Sequence, residues 1–294
     1  MPHPVPGRLF VFGLGFTALA LARALAAEGW SVAGTTRSPD KAAQLRAQGI
    51  AAHLFDRGRP LEDAAAILSG TTHLLSTVPP DAAGDPVLDA HGDALAALTG
   101  LVWTGYVSTT GVYGDVGGAW VDEDSPLAPK TERGRRRVSA EAGWRRLGLP
   151  LHIFRLPGIY GPGRSALDAL RAGTARRIDK PGHLFSRIHV EDIAGTLRAS
   201  MHRPDPGAIY TVADDEPASS ADVVAYAAGL LGMPPPPLEP FDPATLSPMA
   251  ASFYGESKRV GNGRIKRDLG VRLRYPNYRA GLSAQLRAER GGAG

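Results

Sequence analysis

The sequence predicts an α/β protein: a doubly wound parallel sheet with helices on both faces, followed by a small C-terminal substrate or lid region. Three observations lead there. A glycine-rich turn, Gly13-Leu14-Gly15-Phe16-Thr17-Ala18, joins a continuous apolar run to a helical pattern. Strand and helix signals alternate from there to the middle of the chain, as a parallel sheet with crossover helices requires. From about residue 205 the texture changes to short elements around the proline-rich stretch "MPPPPLEPFDPATLSP", which excludes helix and central strand. The expected division is 1–204 for the larger domain, which also lends residues near 160–180 to the substrate region, and 205–294 for the smaller one.

The elements follow in order. Residues 9–12 read as a strand buried on both faces. The next helix carries Leu19, Leu21 and Leu25 and stops at Gly29. "WSVAGTT" is the second strand, "IAAHLF" the third, running up to Asp56, and "HLLSTVPP" the fourth. A helix over 87–99 leads to a fifth strand, "LVWTGYVST", and "LHIFRLPGIYGPG" is the sixth. Beyond 205, "YTVADDEP" reads as a strand and turn, 219–231 as a helix, and "ERGGAG" as a frayed tail.

Composition excludes several classes. With no cysteine, neither a disulfide framework nor a thiolate metal site can form, and no metal is expected. "MPHPVPGRLFVFGLG" has three prolines and a short apolar run ended by glycines, so a secretory leader is not expected and a cytoplasmic location is. No window approaches the ~20 apolar residues of a membrane span. The net charge of +4 could suggest nucleic acid, but basic residues cluster only in "ERGRRR" and no nucleic-acid motif accompanies them. The expected partner is a small molecule, and a homodimer is left open.

The glycine-rich turn carries the first chemistry. Gly13 allows the tight turn, Gly15 lets a pyrophosphate approach the backbone, and Ala18 lets the helix pack close to the strand. Phe16 and Thr17 open the helix whose N–H groups would face the phosphates. The second strand ends in Thr36-Arg37-Ser38, where a carboxylate would be expected for NAD. Arg37 can instead pair with a 2′-phosphate, so the predicted cofactor is NADP(H). The other strand ends that should face the ligand carry Asp56, Thr77, Ser108-Thr109 and Pro157-Gly158.

"STTGVYGD", "RLPGIYGPG" and "SRIHVEDIA" together resemble the extended short-chain dehydrogenase/reductases, the NAD(P)-dependent epimerase/dehydratase group. The tail "SKRVGNGRIKRDLGVRLRYPNYRAGL" resembles the end of an atypical subgroup. The resemblance implies a Rossmann-type fold and a Ser/Thr, Tyr, Lys catalytic set, with tyrosine and lysine in a YxxxK motif. Thr109, flanked by Ser108, takes the Ser/Thr position. "RGRRRVSAE" aligns Glu141 with the family glutamate, which puts Arg137 at the lysine position and Arg133 at the tyrosine position. No tyrosine occurs between Tyr113 and Tyr160. Arg137 could still bind the cofactor, but a guanidinium stays charged and does not trade protons. Thr110 and Gly111 stand where the 4,6-dehydratase branch carries acids, which argues against that reaction.

The proton donor must then come from elsewhere, with Tyr113, Asp115, Tyr160, His189 and Tyr254 as candidates. The smaller region is implied to select substrate, with Tyr160, Arg164, Arg187 and Tyr254 as contacts. Arg164, Arg187, Lys258 and Arg259 are expected to converge into a cleft suited to an anion. Two functions remain open: an NADP(H)-dependent oxidoreductase or epimerase with a non-standard proton relay, and an NADP(H)-binding regulatory or assembly protein without catalysis.

Overall fold

The computed structural model describes residues 6–247, 251 and 253–291. Residues 1–5, the end of the proline-rich connector at 248, residues 249, 250 and 252, and the last three residues lie outside them. In the first half of the chain the elements are β1 (Arg8–Phe12), α1 (Phe16–Ala27), β2 (Ser31–Thr36), α2 (Pro39–Ala47), β3 (Ala51–Leu54), α3 (Ala64–Leu68), β4 (His73–Ser76), α4 (Pro86–Ala96), β5 (Trp103–Thr109), β6 (Trp120–Val121) and α5 (Glu132–Arg146). There follow β7 (Leu151–Leu156), β8 (Gly158–Tyr160), α6 (Ala166–Arg171), β9 (Arg177–Asp179), β10 (Arg187–His189), α7 (Val190–His202), β11 (Ile209–Thr211), α8 (Ser220–Leu231), β12 (Leu238–Pro240), β13 (Arg259–Val260), α9 (Gly263–Arg267) and α10 (Tyr278–Gly291).

Seven strands form one parallel sheet in the order β11-β7-β5-β4-β1-β2-β3. Alternation along β1 shows how both faces are covered. Leu9 and Val11 join a cluster with Leu21 and Leu25 of α1 and Ile193 and Leu197 of α7. Phe10 and Phe12 point the other way, toward Val87 of α4 and Trp144 of α5. These four side chains are fully buried, which is why residues 9–12 read as an unbroken apolar run. This is the doubly wound Rossmann-type fold.

Local chemistry sets the helix starts. The Ser38 side chain accepts from Lys41 N ahead of Pro39, and the Asp85 side chain accepts from Val87 N and Leu88 N ahead of Pro86, so cap and N1 proline act together. The Thr131 side chain accepts from Gly134 N at the start of α5. Gly134 itself is pressed against the turn after β5, where a Cβ would lie 2.7 Å from Gly111 O.

Two boundaries differ from expectation. The sixth strand splits at Pro157, which has no N–H to give the ladder: β7 stays in the main sheet, and β8 leaves it to pair with β10. The strand of "YTVADDEP" joins the main sheet as its edge, β11, instead of belonging to a separate C-terminal unit. The chain also returns to the main body later, since Ile265 and Leu269 pack in the core with α1 and α7. The smaller region is therefore assembled from both sides of residue 204. It pairs β8 with β10, β9 with β12 and β6 with β13, and α6, α8 and α10 share a separate cluster including Leu167, Ala227 and Leu282. The proline-rich connector supplies β12, outside the main sheet. No helix among the described residues is long and apolar enough to cross a membrane.

One buried ion pair ties the sheet to α5. Arg155 of β7 donates from Nε to Glu141 Oε1 at 3.1 Å and from Nη2 to Oε2 at 2.8 Å, and the two side chains are 2% and 0% exposed. Removing one partner leaves the other charged and uncompensated. Glu141→Ala is expected to lower stability by about 3–5 kcal/mol, read as a shift of the urea midpoint at unchanged m-value.

Candidate active-site cleft

A cleft of about 380 Å³ opens at the carboxyl ends of β1, β5 and β7, the position where parallel sheets bind ligands. One end is the glycine-rich turn. Gly13 has φ +88°, and a Cβ there would sit 2.8 Å from Thr77 Oγ1. Gly13 N donates to Thr35 Oγ1 at 2.9 Å, and Thr77 Oγ1 donates to Gly13 O at 2.6 Å. At Gly15 a Cβ would meet nothing closer than Gly13 O at 3.9 Å, so a ligand can approach that backbone. Gly15 precedes α1 without any side-chain cap, leaving first-turn N–H groups for an anion. Phe16, Thr17 and Thr77 line this end, with Arg164 lying over the Phe16 ring at 5.8 Å. The residues fit the diphosphate of a dinucleotide.

The floor comes from the ends of β5 and β7. Ser108, Thr109, Pro157 and Gly158 all line the cleft. The Ser108 hydroxyl donates to Glu141 Oε1 at 2.6 Å, so it is committed to the buried ion pair. The Thr109 hydroxyl accepts from Gly111 N at 3.2 Å and still has its proton to offer.

Arg133 and Arg137 form one wall, four residues apart on α5 and therefore on one helix face. Arg137 is 8% exposed and donates from Nη1 to Tyr106 OH and Val107 O, both at 2.8 Å. Arg133 still meets solvent at the mouth and lies over the Phe253 ring at 5.6 Å. Partial burial, Arg137 and Arg164 hold its pKa below the ordinary guanidinium value, with Glu256 acting the other way.

The opposite wall is a strap over residues 253–260 that carries Phe253, Glu256 and Lys258 into the cleft. His183 Nε2 lies 3.0 Å from Glu256 O, Ser257 N donates to Asp115 Oδ1 at 2.8 Å, and Lys258 Nζ donates to Gly114 O at 2.7 Å. Lys258 Nζ also pairs with Glu256 Oε2 at 2.6 Å, while Glu256 Oε1 has no hydrogen-bond partner among the described residues.

No family model matches the chain. Protein YeeZ of Escherichia coli K12 is 29% identical over 285 residues, spanning 92% of this chain and 97% of its own length. A functionally unknown conserved protein from Silicibacter pomeroyi superposes with a TM-score of 0.89 at 56% identity, covering 96% of this chain and 99% of that one. A Methylobacillus flagellatus structure, provisionally described as an NAD-dependent epimerase/dehydratase, superposes at 0.73 with 28% identity, covering 97% and 100%. The structural neighbours support an assignment to the atypical, epimerase/dehydratase-like short-chain dehydrogenase/reductases.

Several residues expected in this site lie elsewhere. Tyr113 is fully buried because the 3-10 turn Thr110–Tyr113 carries its ring inward beside Val121 and Val260. Its hydroxyl accepts from Arg155 Nη1 at 3.0 Å, and burial pushes its pKa up to about 12. The Tyr160 hydroxyl donates to Asn277 O at 3.2 Å beside α10, so it faces the smaller cluster. Tyr254 turns away from the cleft onto His183, Phe185 and Phe241. Asp115 pins the strap, and His189 is buried against Tyr275, with Nδ1 accepting from Glu191 N at 3.2 Å. None of these five proton-donor candidates lines the cleft.

Arg187 does not converge with the other cations either. It donates from Nη2 to Ala218 O at 3.2 Å and lies over Tyr278 at 5.8 Å. Arg259 is exposed on β13. The cleft's cations are Arg133, Arg137, Arg164 and Lys258. Arg133 and Glu256 were the important residues absent from the expected contacts. Arg133 could have been found from its i, i+4 spacing to Arg137, but nothing local marks Glu256, whose place depends on the strap's tethers.

The end of β2 lies outside the cleft proper. Arg37 is exposed and its carbonyl accepts from Arg59 Nη2 at 3.1 Å. The Thr36 hydroxyl accepts weakly from Ser38 N at 3.4 Å, and Ser38 caps α2. Asp56 is held in its own turn by Gly58 N and by Arg59 Nη2 at 3.1 and 3.0 Å.

Behind the cleft, burial pushes Asp214 up to about 8, although Arg187 acts to lower it. A carboxyl whose folded pKa is raised favours the folded state in its protonated form. Its contribution is full below the ordinary carboxylate pKa near 4 and is lost as pH rises to about 8. Stability of the wild type should therefore fall relative to Asp214→Asn across that window, measured as urea midpoints at successive pH values.

Proposed function

We propose that this protein is an NADP(H)-dependent oxidoreductase or epimerase that acts on a small hydroxy or keto substrate through a non-standard proton relay. The observation that carries the proposal is the cleft itself: a phosphate-accepting turn at one end, an available Thr109 hydroxyl on the floor and a single carboxylate, Glu256, on the far wall. A nicotinamide dinucleotide in the cleft would supply the acceptor or donor of a hydride. Gly13, Gly15, Phe16, Thr17 and Thr77 would hold its diphosphate, with Pro157, Gly158 and Arg137 toward the nicotinamide end. Arg37 would pair with the 2′-phosphate at the end of β2, because Asp56 is engaged in its own turn and no carboxylate ends β2.

The chain's own residues would then do three things. Thr109 donates a hydrogen bond to the substrate oxygen and orients it. Glu256 takes the hydroxyl proton as hydride leaves the same carbon, and returns it in the reverse direction. Lys258 fixes the Glu256 carboxylate by its 2.6 Å ion pair. With Arg133 and Arg137 at the tyrosine and lysine positions of the resembling family, and the hydroxyls of Tyr113 and Tyr160 already bonded elsewhere, Glu256 is the carboxylate among the described cleft residues that can serve as the base. The absence of a cleft-facing tyrosine among the described residues also favours a second reading, an NADP(H)-binding regulator without turnover.

Arg37→Ala should weaken NADPH binding about tenfold or more and leave NADH binding unchanged, measured by nucleotide fluorescence titration. Glu256→Gln should lower kcat by about 10²–10⁴ at unchanged NADPH affinity, on any hydroxy or keto acid or sugar that a coupled absorbance screen finds to turn over. NADPH binding with no turnover and no isotope exchange across that screen would decide for the regulator.

A further inference from the structure

The two arginines on α5 carry a more specific conclusion. Arg133 and Arg137 enter the cleft from one helix face. Among the described residues, no carboxylate forms an ion pair with either of them or with Arg164. The cleft's one carboxylate, Glu256, is already paired with Lys258 at 2.6 Å. Two guanidinium groups side by side in a partly enclosed cleft repel one another, and neither gains a carboxylate in direct contact to offset this, although Glu256 acts on Arg133 from a distance.

The arrangement is built rather than incidental. Arg137 is buried and pinned from Nη1 by two 2.8 Å bonds to Tyr106 OH and Val107 O, which leaves its other nitrogens unassigned. Arg133 is steadied by the Phe253 ring of the strap. Arg164, over Phe16, stands at the diphosphate end of the cleft, whereas Arg133 lies against Phe253 of the strap.

We propose that Arg133 and Arg137 form an oxyanion-binding subsite, and that the substrate carries a carboxylate or phosphate group which they grip beside its reacting carbon. Guanidinium forks bind both kinds of oxyanion through paired hydrogen bonds. Positions that the resembling family gives to acid–base chemistry thereby become a recognition site, and proton exchange is left to the opposite wall. This conclusion rests on the reading of the cleft as a substrate site.

The test titrates inorganic phosphate and, separately, malonate into the protein with and without saturating NADPH, following Tm against sodium chloride at equal ionic strength. Either anion should give a saturable rise in Tm that adds to the rise from NADPH. Whichever anion acts at lower concentration identifies the substrate group as phosphate or carboxylate. Arg133→Gln, at a solvent-accessible position on α5, should weaken the anion's apparent affinity about tenfold or more while keeping the NADPH response. Arg137→Lys, which retains the charge but loses the fork, should weaken it less. Glu256→Gln should strengthen it, because a nearby negative charge is removed. The proposal is overturned if neither anion acts beyond sodium chloride, or if Arg133→Gln keeps the full response, which would indicate an adventitious ion only. A protein that ignores NADPH but still responds to anions through Arg133 would sink the cofactor reading and leave the subsite standing.

Discussion

The buried pair between Glu141 and Arg155 is the constraint on which the cleft depends. Glu141 receives both forks of Arg155 and the Ser108 hydroxyl, and Arg155 also reaches Tyr113. One carboxylate thus links β5, β7, the turn after β5 and α5. Arg133, Arg137 and Glu141 are spaced by four and share one helix face. Anchoring Glu141 against the sheet fixes the rotation of α5 about its axis, and that rotation aims the two arginines into the cleft. Gly134 allows the close approach, since a Cβ there would strike Gly111 O.

The second constraint is the strap. Residues 253–260 are held by Asp115, Gly114 and His183, and β13 pairs with β6. These tethers run to the turn at Gly114–Asp115, to His183 and to β6. Together they bring a carboxylate and an ammonium to face a wall of guanidinium groups. Among the described residues the cleft carries four cations and one carboxylate, a balance that favours anionic ligands and strengthens charge contacts made where water is sparse.

Much of this could be read from the chain. The unbroken apolar run of β1, the turn at Gly13 and Gly15, and the strand ends carrying Thr109 and Pro157 all report local backbone requirements, and local requirements leave local patterns. Arg137 was legible because its helix register is set by Glu141. Tyr113, Tyr160 and Tyr254 were misleading for a common reason: each lies in or near a loop motif, where the direction of a ring is set by what packs behind it. Tyr113 turned toward Arg155, Tyr160 toward α10 and Tyr254 toward Phe185.

By itself, the sequence determined the parallel sheet, the glycine-rich turn and the lack of a tyrosine one helical turn before Arg137. These follow from hydrophobic period, glycine conformation and residue identity, none of which needs a distant partner. Only the tertiary structure decided which charges meet. Glu256 stands 123 residues beyond Arg133 in the chain, and no periodicity relates them. Arg187 and Arg259, equally basic in sequence, are carried elsewhere by the strands they sit on. The electrostatics of the cleft depend on distances across the fold, and those are set by packing between elements that the linear pattern does not order.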